Sequence, residues 1–243
     1  MSDQTLFRRI AAISAILAGP LQLAFMVIGF IAIDFNTEIM ADQSLMIALG
    51  DQAAEMFRWG EILDIFGFYL LLIPVVLYLR HWLRSHSPNL VNLFTVFGLG
   101  SIFFGVAGAA IRYGAMTEMM HAYVQASGAG REMLAIAFKI LIDVIFSGLS
   151  ILEVLLTGGW VTGIGLVLRR EQRVFGLFTT MFGIAYLVTV AGGLFQIDAI
   201  VVAFTGIIVP LFPIWMLWLG IVFWRRDEQG DYVLEPATAT STI

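Results

Sequence analysis

The chain contains no cysteine among its 243 residues, and only 13% of those residues are charged. The first absence excludes disulfides, thiolate metal centres, iron–sulfur clusters and cysteine nucleophiles. The second sets the chain apart from soluble globular proteins, in which roughly a quarter of residues carry charge. Histidine is scarce as well: His81, His86 and His121 all lie outside the apolar runs, so a haem held between helices finds no axial ligand. No basic run interleaved with aromatics is present, which removes nucleic acid as an expected partner. What fills the chain is apolar, with 60% hydrophobic residues and a mean hydropathy of +0.92. The expected class is an integral membrane protein whose main partner is the lipid bilayer.

Apolar runs over 10–33, 58–79, 92–112, 147–168, 174–195 and 199–224 are each long enough to cross the ~30 Å hydrocarbon core. The first is too long for the apolar part of a cleaved signal peptide and reads as a retained span. The fourth sits inside a longer helical stretch, 131–169. Pro20, Pro210 and Pro213 predict bends. Residues 37–56 mix Glu38, Asp42, Asp51 and Glu55 with apolar side chains, the pattern of an amphipathic helix lying on an outer surface. Residues 1–226 are thus expected to form one membrane domain. The acidic, then Thr-, Ala- and Ser-rich 227–243 reads as a disordered cytoplasmic tail. Arg8, Arg9, Arg80, Arg84, Arg169, Arg170, Arg173, Arg225 and Arg226 alternate with connections holding Arg58, Arg112, Arg131 and most of the acids. By the positive-inside rule, both termini are expected in the cytoplasm. The expected fold is therefore an all-α polytopic bundle of six transmembrane helices.

The fourth run carries the most informative polar pattern. Lys139, Asp143, Ser147, Ser150, Glu153 and Thr157 are spaced by three or four residues. On an uninterrupted α-helix they fall within an arc of roughly 120° and form a stripe about 27 Å long. A charge at mid-depth costs about 3 kcal/mol on insertion scales, so the stripe must face complementary side chains or water. The only credible turn before it is Ser127-Gly128-Ala129-Gly130, so helices three and four are expected to extend into an outer hairpin. Centred on Gly128, that hairpin sets Glu118 beside Lys139 and Arg112 beside Asp143. Glu61, Asp64 and Glu153 fall in the outer half of the membrane, within reach of Arg58 and Arg112. The candidate polar or transport site therefore comprises Arg58, Glu61, Asp64, Arg112, Lys139, Asp143, Ser147, Ser150 and Glu153. Such a carboxylate cluster under a basic rim suits proton or cation passage. The same charges also suit a static network that holds helix two against helix four.

Other chemistry has thinner support. Met116, Met119, Met120 and His121 offer soft ligands for Cu(I), though methionine also fills helix interfaces without any metal. Ser147 and Ser150 have no histidine partner in their layer, which disfavours a serine hydrolase. Glycines such as Gly98, Gly105 and Gly158 mark close helix contacts and not phosphate loops. No catalytic set and no cofactor site emerges, so a non-enzymatic component, a transporter or channel, and a Cu(I)-handling protein are the three readings. Protein partners and oligomeric state are not legible.

Arg58 followed by Asp64 in the second run, Gly183 with Tyr186 in the fifth, and Pro213 with Trp218 before a basic end form a pattern that resembles a family of uncharacterised six-pass bacterial membrane proteins. The resemblance implies a helical bundle in a bacterial inner membrane and supplies no activity. The long charged fourth helix departs from that pattern.

Overall fold

The computed structural model describes residues 2–226; the tail expected at 227–243 lies outside them. Every regular element among the described residues is helical. Six helices are long and apolar enough to cross a membrane: α1 (Asp3–Ala32), α2 (Asp51–Leu83), α3 (Pro88–Gln125), α4 (Gly128–Leu168), α5 (Arg173–Leu194) and α6 (Ala199–Arg225). Large apolar side chains such as Val96, Phe103, Met181 and Val202 point outward, as a lipid-facing surface requires.

Local chemistry sets the ends. Ser2 caps α1 by accepting a hydrogen bond from the Thr5 amide, with Asp3 in the first turn. Pro88 opens α3, where its missing amide proton costs nothing. The helices form a ring in chain order, each packed on its sequence neighbour, and α6 closes it against α1. Small residues allow the tightest contact, between α4 and α5. A methyl group at Gly165 or Gly183 would run into the backbone of the facing helix. At the end of the ring that carries the arginines, Trp82 of α2 donates to Glu171 in the α4–α5 connection (2.7 Å), and Arg226 bonds the same carboxylate at 3.0 Å.

Two apolar clusters divide the bundle. The larger includes Leu72, Leu79, Trp160, Phe175, Trp215 and Phe223. The smaller gathers Ile39, Met46, Phe57, Met120, Phe138 and Ile142 at the opposite end. Buried Glu61 and Asp64 fall along α2 between Phe57 of the smaller cluster and Phe68 of the larger.

Three details differ from the sequence expectation. Residues 37–56 are not one amphipathic helix. They comprise a five-residue helix (Thr37–Ala41), a 3-10 helix (Gln43–Leu49) and the start of α2. Gly50, at φ +87°, separates the last two. The α3–α4 turn falls at Ala126 and Ser127, because Gly128 already begins α4. Helices α2, α3 and α4 are each interrupted by a π-helical turn, at Ile65–Tyr69, Arg112–Met116 and Val144–Leu149. At 38 and 41 residues, α3 and α4 are about twice as long as a ~30 Å hydrocarbon core requires.

Candidate functional site

Arg112 is the centre of the buried charge. Its Nε donates to Glu61 Oε1 at 2.7 Å and its Nη2 to Asp64 Oδ2 at 3.1 Å. The guanidinium side chain is 11% exposed and each carboxylate side chain 3%. Glu61 and Asp64 lie three apart on α2 and so present adjacent carboxylates to one cation. The Phe146 ring of α4 packs 5.9 Å from the guanidinium carbon.

One π-turn below Asp64, the Tyr69 hydroxyl donates to Glu153 Oε1 of α4 at 2.6 Å. On an unbroken α-helix, positions 64 and 69 point roughly 140° apart. The wider Ile65–Tyr69 turn brings both to the same hollow. Gly105 of α3 makes room for Tyr69, since a methyl there would overlap the ring. Three helices are thereby joined through polar groups: α2 to α3 by Arg112, and α2 to α4 by Tyr69.

Above this layer the polar groups continue to the end of the bundle that holds the 33–50 connection. Arg58 Nη2 lies 3.4 Å from the Tyr113 hydroxyl, and its Nη1 lies 3.6 Å from Glu55. His121 places Nδ1 2.7 Å from Asp51 and Nε2 3.4 Å from Glu55. Below it, toward Arg80, the packed aromatic core has no comparable charged layer among the described residues.

Two hollows flank the Tyr69–Glu153 bond. One, of about 260 Å³, is lined by Glu61, Asp64, Arg112, Phe25, Phe57 and Met116 among others. The second, of about 280 Å³, is lined by Glu153, Tyr186, Thr189 and Thr205 among others. Gln22, Phe25 and Tyr69 belong to both walls. Glu61 Oε2 and Gln22 Oε1 are buried and have no hydrogen-bond partner among the described residues.

Of the nine candidate residues, Glu61, Asp64 and Arg112 come together, with Glu153 next to them through Tyr69. Arg58 stands at the rim. The remainder of the stripe is elsewhere. Lys139 and Asp143 are exposed and line a separate hollow with Asp42 and Ser44; Ser147 is exposed and Ser150 half-buried. The expected pairs Arg112–Asp143 and Glu118–Lys139 do not form. Arg112 turns to α2 instead, Glu118 is exposed, and the charge that Lys139 influences is Asp42. Both expectations assumed continuous α-helices and a turn centred on Gly128. An earlier turn shifts the register, and each π-turn rotates the residues beyond it by roughly 100°. The soft-ligand group does not converge either: Met116 and Met120 are buried in the apolar cluster, while both His121 nitrogens face carboxylates.

Sequence reasoning missed Gln22, Tyr69 and Tyr113. Gln22 did leave a signal, as the lone amide deep in the first apolar run. Tyr69 left none, because its position depends on the π-turn. No protein-family model, no curated protein and no solved structure matches the chain.

Proposed function

We propose that the protein is a non-enzymatic component of a bacterial cytoplasmic membrane, with both termini cytoplasmic, whose internal charges lock its helices in one arrangement. The observation that carries this reading is the grip of Arg112 on Glu61 and Asp64, two helices joined by charges that lipid cannot solvate. The alternation of arginine-rich and acidic connections supports the orientation. In the proposed orientation the overhanging ends of α3 and α4, and the short helices between α1 and α2, lie on the outer side.

Absence of cysteine makes the orientation testable without background labelling. Ser85→Cys and Ser127→Cys, both at exposed positions, are treated in intact cells with a membrane-impermeant maleimide. Labelling of Ser127→Cys alone is expected, with Ser85→Cys reacting only after permeabilisation. The opposite pattern overturns the orientation.

A second reading is favoured by the charge count: Glu61, Asp64 and Glu153 face a single guanidinium, Arg112. That surplus suits a proton- or cation-coupled transporter or channel. Proteoliposome flux across a pH gradient, comparing the native chain with Glu153→Gln, tests it. Flux that is absent, or indifferent to the substitution, removes this reading and leaves the locked bundle.

A further inference from the structure

We infer that the hollow beside Glu61 is a binding site for a small primary organic ammonium ion. Glu61 is 2% exposed, yet its Oε2 has no partner among the described residues, and Gln22 Oε1 on the same wall has none. Both atoms are acceptors, so the group that satisfies them must bring N–H or O–H donors. Leaving a buried acceptor empty is costly, which gives a donor-bearing ligand its driving force.

The charge balance selects a cation. Arg112 offsets one of the two carboxylates that grip it, and Glu153 accepts from an uncharged tyrosine. The rest of the wall selects an organic one. Phe25, Phe57 and Phe146 present rings, and Met46 and Met116 thioethers, surfaces that attract an ammonium with an apolar body. A calcium-type ion gathers roughly six to eight oxygens. Here the side-chain oxygens come from Glu61, Asp64, Gln22 and Tyr69, and several are already engaged by Arg112 or Glu153. Size sets the upper limit: about 260 Å³ is below the roughly 300–1,000 Å³ of sites that enclose drug-sized ligands.

The inference shares with the second reading only the use of these carboxylates for a cation; binding requires no passage. The test is calorimetric titration of the full chain in lipid nanodiscs with benzylammonium, benzyl alcohol and tetramethylammonium. Benzylammonium is expected to bind about tenfold or more tightly than either comparison compound, since one lacks the charge and the other the N–H donors. Gln22→Leu, which leaves both Arg112 ion pairs in place, is expected to weaken benzylammonium several-fold, and Glu61→Gln to abolish its binding. Should Glu61→Gln fail to fold, Gln22→Leu decides. No binding of benzylammonium, equal binding of the alcohol, or unchanged affinity in Gln22→Leu overturns the site. Ammonium binding without flux supports the site and removes passage. Proton flux without ammonium binding overturns the site and keeps the second reading.

Discussion

Replacing Arg112 with methionine keeps a long flexible side chain and removes the one cation shared by Glu61 and Asp64. Two charge-assisted hydrogen bonds are lost, at about 1.5–3 kcal/mol each. That sum agrees with the about 3–5 kcal/mol expected when a buried ion pair is broken from one side. Exposure supports the upper part of the range: the carboxylate side chains are 3% exposed, so bulk water is a poor substitute for the guanidinium. For a chain of this length each kcal/mol moves the melting temperature by about 2–4 °C, so Arg112→Met is expected to melt about 6–20 °C lower. Thermal unfolding in nanodiscs, followed by tryptophan fluorescence, reads this directly. The combination Arg112→Met, Glu61→Gln, Asp64→Asn removes all three charges of the Arg112 grip and is expected to recover most of the loss. A single variant melting within about 2 °C of the native chain would refute the reasoning. So would a triple variant no more stable than the single.

Tyr69→Phe removes the hydroxyl that bonds Glu153 and keeps the ring; a loss of about 1.5–3 kcal/mol is expected in the same unfolding assay, and none if the bond is incidental. Gly105→Ala drives a methyl group into the Tyr69 ring, with an expected cost of about 1–3 kcal/mol; full stability would mean the ring has room to withdraw. Asp42, outside the spans, caps the 3-10 helix Gln43–Leu49. The Ser44 hydroxyl, then the Ser44 amide, with the Lys139 ammonium adding to them, hold its carboxyl below the usual carboxylate range. Because the folded pKa is the lower one, this cap is fully effective above the usual range and is lost as pH falls through the depressed value. Amide exchange over 43–49, corrected for its intrinsic pH dependence, should lose protection there in the native chain, and at a higher pH in Ser44→Ala, which loses the hydroxyl but keeps the capping amide.

The six long helices were legible because lipid imposes a demand that composition alone can meet: about 20 apolar residues in a row, with every backbone group bonded within the segment. Charges within those runs were legible for the converse reason, since Glu61, Asp64, Arg112 and Glu153 are expensive unless answered. Which group answers which was not legible. Arg112 was expected to meet Asp143 across a hairpin, and it meets Glu61 and Asp64 across α2. A sequence read at 3.6 residues per turn fixes every side chain's azimuth relative to the last, and one wider turn invalidates all later assignments. Helix α4 illustrates this. Asp143 and Glu153 were placed on one stripe, yet the π-turn Val144–Leu149 lies between them. Asp143 reaches the hollow beside Asp42, while Glu153 reaches Tyr69 in the interior.

The three π-turns sit where the charges are. Each begins at, or one residue after, a charged position of α2, α3 or α4: Asp64, Arg112 and Asp143. A π-turn distorts the hydrogen-bond ladder and is disfavoured unless something local offsets it. In α2 the compensation is specific. Without the π-turn, the same residues wound at 3.6 per turn would set Glu61 and Asp64 toward Arg112 while Tyr69 pointed roughly 140° from Asp64, leaving Glu153 buried in α4 with no donor. With it, one face of α2 presents two acceptors to α3 and one donor to α4. Straightening α2 into a regular α-helix with Ile65 kept would rotate Tyr69 and everything below it against the large apolar cluster. The π-turn in α2 is therefore what lets a single helix meet both an ionic partner and a hydrogen-bonding partner while its lower half keeps its apolar contacts.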